Sequence, residues 1–274
     1  MKLISMFALV MSISLFAFAF GEGKYYKKGL EAMGQGDLQS AKVFFDESIN
    51  ENPKFSRGYS NLAYVQAQLG EIDNAILNYK MAYKFDKEDY SSLTNLCGLL
   101  IDKNDLKNAL TSCSKAISIN PTSYKAYNNR CMVFLNGKRY DSAIADCSQA
   151  ISLRRDYVTP YINRGMAYSA LKKYKEAYDD LSMAIKIEPS NALAYNNRCV
   201  VNKDLRQYDK ALADCTKSIE LDSSVSEAYL TRGSIYQTMG QNKDAVIDYT
   251  MYLKQNPDAE SVRQRMNTLL KDIK

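Results

Sequence analysis

Residues 124–157 read YKAYNNRCMVFLNGKRYDSAIADCSQAISLRRDY, and residues 158–191 read VTPYINRGMAYSALKKYKEAYDDLSMAIKIEPSN. The second stretch repeats the pattern of the first, 34 residues on. The register extends outward in both directions. Ala143 recurs as Ala41, Ala75, Ala109, Ala177, Ala211 and Ala245. Tyr127 recurs as Tyr25, Tyr59, Tyr161, Tyr195 and Tyr229, with Leu93 in the one gap. Pro53, Pro121, Pro189 and Pro257 fall on alternate turns of the same grid. Seven contiguous repeats therefore run over 22–55, 56–89, 90–123, 124–157, 158–191, 192–225 and 226–259. A fixed period of this length is the signature of a repeat architecture. Numbering each repeat from 1 to 34, positions 4, 7, 8 and 11 hold one set of packing residues, and positions 20, 24, 27 and 28 hold another. Both sets have the spacing of one helix face, so each repeat is predicted to be a helix pair. Gly or polar residues near positions 15 and 16, such as Gly36-Asp37 and Asn104-Asp105, separate the two helices. Pro or a polar residue at position 32 ends the second.

An aromatic at position 4, a small residue at 8, Ala at 20, a small residue at 27 and Pro at 32 resemble the tetratricopeptide repeat. The resemblance covers residues 22–259. It implies an all-α fold, an α-solenoid of seven helix pairs wound into a right-handed superhelix. It also implies a scaffold that binds other proteins. Residues 260–274 continue the register for one helix, with Val262, Met266, Leu269, Leu270 and Ile273 as its apolar stripe. That is the pattern of a capping helix over the last repeat.

The first 21 residues are a separate object. After Met1-Lys2, residues 3–20 are uncharged and mostly apolar, and Ala17-Phe18-Ala19 supplies small residues at a signal-peptidase spacing. The expectation is an export signal, with an uncleaved membrane anchor as the rival. The compartment expected is periplasmic or secreted. The first cysteine is Cys97, far from the cleavage site, so no lipoprotein signal is present in this sequence. The net charge is +5 with acids and bases interspersed, and there is no His. Nucleic acid is not an expected partner, and the commonest general base and metal ligand is missing.

Six cysteines sit only at positions 8 and 24, as Cys97 with Cys113, Cys131 with Cys147, and Cys199 with Cys215. The cysteine-free repeats pair a small residue at 8 with a large one at 24: Gly29 with Phe45, Ala63 with Tyr79, Gly165 with Leu181, Gly233 with Tyr249. That volume complementarity marks direct neighbours. Three intra-repeat disulfides are the expected reading for an exported chain, with buried reduced thiols as the alternative. A metal is disfavoured, because each pair offers two ligands where zinc takes four.

Position 7 is Arg and position 23 is Asp in repeats four to seven, and neither occurs in repeats one to three. The pairs Arg130 with Asp146, Arg164 with Asp180, Arg198 with Asp214 and Arg232 with Asp248 read as structural Arg–carboxylate links between helices.

The resemblance implies a concave groove lined by positions 2, 5, 6, 9 and 12 of the first helices. Position 6 is Asn in five consecutive repeats: Asn61, Asn95, Asn129, Asn163 and Asn197. An amide offers both a donor and an acceptor to a peptide backbone. Tyr64, Met132 and Met166 add apolar groove contacts. The groove is nearly uncharged, and the Lys and Asn set that clamps acidic C-termini in co-chaperone members of the family is absent. The function expected is a non-enzymatic scaffold that binds a peptide segment or protein surface in its groove, with no cofactor, metal or small-molecule substrate. The alternative is a structural envelope assembly or anchoring factor that acts through its convex face or edges.

Overall fold

The structure, a computed structural model, describes residues 23–272. The described residues form fifteen α-helices and no strand. Residues up to Arg130 form one compact unit and residues from Cys131 a second. The first holds α1 (Lys24–Gly34), α2 (Leu38–Glu51), α3 (Ser56–Gln68), α4 (Ile72–Phe85), α5 (Tyr90–Asp102) and α6 (Leu106–Ile119). The boundary falls within α7 (Tyr124–Asn136). The second unit continues with α8 (Tyr140–Leu153), α9 (Thr159–Ala170), α10 (Tyr174–Ile187), α11 (Ala192–Asp204) and α12 (Tyr208–Leu221). It ends with α13 (Ser226–Thr238), α14 (Asn242–Gln255) and α15 (Glu260–Asp272). Each repeat is one odd-numbered helix followed by one even-numbered helix. In both units consecutive helices pack side by side, the arrangement of an α-solenoid. The expected export segment, residues 1–21, lies outside the described residues. None of the described helices is long and apolar enough to cross a membrane.

One backbone device closes every helix pair. The residue at position 15 has a left-handed φ in all seven repeats: Gly36 (79°), Gly70 (80°), Asn104 (58°), Lys138 (56°), Lys172 (58°), Arg206 (58°) and Gly240 (76°). The N–H at position 16 then donates back to the carbonyl at position 11, from Asp37 to Ala32 at 2.9 Å through to Gln241 to Tyr236 at 2.8 Å. This satisfies a carbonyl that the helix end would orphan, and it turns the chain into the second helix. Asp37 and Asp105 go further, accepting from the N–H of Ser40 and Asn108 as N-caps.

The helix interface is set by small residues. Ala41, Ala75, Ala109, Ala143, Ala177, Ala211 and Ala245, all at position 20, are fully buried. Positions 8 and 24 meet directly. A Cβ added at Gly29 would lie 2.6 Å from Phe45 Cε1, one at Gly165 2.9 Å from Leu181 Cγ, and one at Gly233 2.9 Å from Tyr249 Cδ1. At the same two positions the structure brings the sulfurs of Cys97 and Cys113 to 2.12 Å, of Cys131 and Cys147 to 2.07 Å, and of Cys199 and Cys215 to 2.01 Å. In the first unit Tyr26, Phe45, Ile49, Leu62 and Val65 form one core cluster. Burying a side chain such as Phe45 stabilises by roughly 1.5–3 kcal/mol. In the second unit Val262 and Leu269 of α15 are buried against Tyr249 and Leu253, with Met266 partly buried beside them. Leu270, expected in that stripe, is instead exposed. It lies one residue on from Leu269, about 100° further round the helix. Ile273 lies outside the described residues.

Candidate functional site: the face of the first helices

The five groove positions do not share one environment. Position 5 is largely interior: Tyr26, Thr94, Asn128, Ile162 and Asn196 are all buried. In the second unit the reason is visible, because α9 touches α11 and α11 touches α13 directly. First helices of neighbouring repeats cover this position between them. Ile101, at position 12, is also buried. Position 9 carries most of the accessible apolar groups, with Leu30, Tyr64 and Met166 exposed and Met132 half-buried, and Leu193 at position 2 is exposed as well.

The asparagines at position 6 are tied to the chain itself. Asn61 Nδ2 donates to Tyr26 Oη at 3.0 Å, and Asn95 Nδ2 donates to Tyr79 Oη at 3.2 Å. Asn129 Nδ2 donates to the Thr94 carbonyl at 3.1 Å. Asn197 Nδ2 donates one turn back on its own helix, to the Leu193 carbonyl at 2.9 Å. Asn163 is buried. The series is therefore a row of amides that each help to position a neighbouring side chain or helix turn. Each of these four amides spends one of its two N–H donors in this way and keeps the other together with its Oδ1.

Clefts open on this face in both units. In the second unit one of about 350 Å³ is bordered by Met166, Ser169, Leu181, Asn197, Val200 and Asp204. It brings together two residues expected from sequence to bind a peptide, Met166 and Asn197, with Val200 as an apolar floor. In the first unit a cleft of about 550 Å³ lies between the starts of α5 and α7. Its lining includes Tyr90, Thr94, Asn95 and Lys125, with no carboxylate.

Behind the face, the arginines at position 7 are built into the second unit. Arg164 holds Asp180 through Nε at 2.7 Å and Nη2 at 2.7 Å. Arg232 does the same to Asp248, both at 2.8 Å. The remaining Nη1 of each arginine reaches a hydroxyl of the preceding repeat. Arg164 donates to Ser148 at 2.8 Å, Arg198 to Ser182 at 3.1 Å, and Arg232 to Thr216 at 3.0 Å. In the first unit Arg130 donates to Ser114 Oγ at 3.3 Å. Each guanidinium also lies within 5.7–5.9 Å of the tyrosine ring three residues before it. Burial works against the charge on Arg164 and Arg198, but the hydrogen bonds and charge of the paired Asp outweigh it and raise both pKa values. The hydroxyl at position 25 is a partner the sequence reading missed. Its signal was a Ser or Thr sixteen residues before each arginine.

Comparison with known proteins follows the same grid. Residues 25–55, 124–157 and 226–258 match one Tetratricopeptide repeat family, and residues 159–191 match another. The chain is a tetratricopeptide-repeat protein. As such it is a scaffold suited to protein–protein interaction. Among curated proteins it is similar to the photosystem I assembly protein Ycf3 of Prochlorococcus marinus strain NATL2A. The two are 34% identical over 82 residues, which is 29% of this chain and 47% of Ycf3. The alignment therefore spans about half the length of that relative. Among solved structures, a tetratricopeptide repeat protein from Parabacteroides merdae superposes with a TM-score of 0.73 at 18% identity, over 91% of this chain and 99% of that one. YrrB, described as a TPR protein with an unusual peptide-binding site, gives a TM-score of 0.51 at 20% identity, over 69% and 97%. At these identities the two structures speak to the fold alone.

Proposed function

We propose that this tetratricopeptide-repeat protein is exported and binds an extended segment of a partner protein on the face of its first helices, without catalysing a reaction. The observation that carries the reading is the cleft at Met166 and Asn197. An exposed thioether, an apolar floor at Val200 and an amide carbonyl lie together there. Apolar contact supplies affinity and the amides fix register. Each amide keeps one N–H and its Oδ1 beyond the bond it makes within the chain, so a partner backbone can both accept from it and donate to it. The three cysteine pairs are disulfides in this reading, which places folding in an oxidising compartment. Support comes from their geometry and from the apolar residues 3–20.

The test is selection of peptides from a random display library on the full chain, followed by calorimetry. Met166→Glu weakens the selected peptides at least about tenfold, the scale of placing a charge in an apolar contact. Unchanged affinity in Met166→Glu removes the cleft from the mechanism. Mass analysis of the protein from its host, alkylated before and after reduction, reports the start of the chain and the thiol count.

A second reading is an envelope assembly or anchoring factor that uses its outer face. Val43, Leu77 and Ile247, all at position 22 on second helices, are 58%, 59% and 60% exposed. Ycf3 is itself named as an assembly protein. Loss of partner binding in Val43→Glu with Leu77→Glu, and not in Met166→Glu, would favour this second reading.

A further inference from the structure

The helix-pair turns of repeats four to six differ from the others. Position 15 needs a left-handed backbone in every repeat. Repeats one, two and seven place Gly there and repeat three places Asn, the residues that tolerate it best. Repeats four, five and six instead place Lys138, Lys172 and Arg206, at φ 56°, 58° and 58°. All three side chains are exposed, so packing does not compensate the backbone.

Position 16 breaks a second local rule. Asp37 and Asp105 cap the following helix, whereas Glu71, Arg139, Lys173, Gln207 and Gln241 make no side-chain cap. Arg139 and Lys173 also set a cation at the positive end of a helix dipole. Position 17 is then Tyr140, Tyr174 and Tyr208, each half-buried with its ring packed against the core. The result is the triplet Lys-Arg-Tyr, Lys-Lys-Tyr and Arg-Gln-Tyr in three successive turns of the second unit.

Over positions 14–19 these three turns carry seven cations and three carboxylates, while the same window in the other four repeats carries three cations and five carboxylates. Among the described residues none of the seven is held in an ion pair. Exposed apolar groups stand beside them, Leu205 and Met239 at position 14. Met239 borders a cleft of about 440 Å³ together with Arg206, Gln207, Tyr208, Asp209 and Lys210, where two cations outnumber one carboxylate. The left-handed position is given to a cation in three consecutive repeats, and in two of them position 16 sets a second cation at a helix N-terminus. Loss of local consistency without a packing gain is the mark of a functional surface.

We propose that this edge of the second unit docks on an anionic lipid surface. The cations meet the phosphate headgroups, and Leu205 and Met239 enter the boundary of the acyl region. The cations stand exposed at the turns between paired helices. Unpaired cations with apolar groups beside them match the combination of anionic headgroups and acyl boundary that a lipid surface offers.

Flotation of the full chain with vesicles of phosphatidylcholine containing phosphatidylglycerol, and of phosphatidylcholine alone, tests this. Residues 3–20 partition into either vesicle, so the quantity read is the ratio between the two. The expected preference for anionic vesicles is at least about tenfold, and it disappears at about 0.5 M salt. A variant carrying Lys138→Gly, Lys172→Gly, Arg206→Gly, Arg139→Gln and Lys173→Gln loses the preference. Glycine suits the left-handed position, so its melting temperature does not fall and unfolding cannot account for the loss. Equal flotation on both vesicles, or a preference retained by the variant, overturns the proposal. Binding to soluble polyglutamate with no vesicle preference overturns it in favour of an acidic protein segment.

Discussion

Arg198 grips both carboxylate oxygens of Asp214, sixteen residues further along the chain, with Nε at 2.9 Å and Nη2 at 2.7 Å. Asp214 is only 6% exposed, and its Oδ2 also accepts from Asn202 Nδ2 at 2.8 Å. Removing the guanidinium would leave a buried carboxylate with one neutral donor. Arg198→Met is therefore expected to cost about 3–5 kcal/mol. The double variant Arg198→Met with Asp214→Leu, which removes both charges, should recover most of that loss. Denaturant unfolding of the wild type, the two single variants and the double variant measures the coupling. Additive losses would mean that the pair is not the source of the effect.

The cysteine pairs carry a separate expectation. Each joins residues sixteen apart, and closing a loop of that size stabilises by about 3 kcal/mol in the chain-entropy model. Thiol titration of the oxidised chain in denaturant should find no reactive cysteine. Cys131→Ala with Cys147→Ala should then lower the unfolding free energy by about that amount. Six titratable thiols would reduce the pairs to core packing.

The sequence revealed the repeat because the fold needs small residues at fixed places. Ala at position 20 and the small-to-large pairing of 8 with 24 are steric demands of two closely packed helices, and sterics show in residue size. The face was less legible. Position 6 asparagines look alike in sequence whether their amides meet solvent, a tyrosine hydroxyl as in Asn61 and Asn95, or a carbonyl as in Asn129 and Asn197. The partners of Asn61, Asn95 and Asn129 come from the preceding repeat, and the pattern within one repeat does not contain them. Ser182 was missed for the same reason. Its role appears only when Arg198 of the next repeat is brought alongside.

Tyr79 supplies a pH dependence. Burial pushes its phenol up from 10.0 to about 12, against the opposing hydrogen bond from Asn95. The folded chain therefore holds this proton more tightly than the unfolded chain. The stability is fully present below pH 10 and is lost as pH rises from 10 towards 12. The loss is about 1.4 kcal/mol per unit, so about 3 kcal/mol across the window. Urea unfolding at intervals over that range should show wild type falling towards Tyr79→Phe, which lacks the titrating group. Parallel curves for the two proteins would locate the alkaline loss elsewhere.

The left-handed position gives a reciprocal pair of substitutions. Lys138 holds φ 56° with an exposed side chain, in a conformation that costs an L-residue roughly 1–2 kcal/mol. Glycine removes that cost but gains freedom in the unfolded chain, so the net gain is smaller. Lys138→Gly, Lys172→Gly and Arg206→Gly are each expected to stabilise by up to about 1 kcal/mol. Gly36→Ala, at φ 79° with open space around its Cβ, should destabilise by about the same amount through the backbone alone. Thermal unfolding of the four variants reads both signs. Destabilisation by the three glycines would mean that the cations hold the turns in place. Stabilisation would mean that the chain gives up turn stability to keep positive charge along one edge.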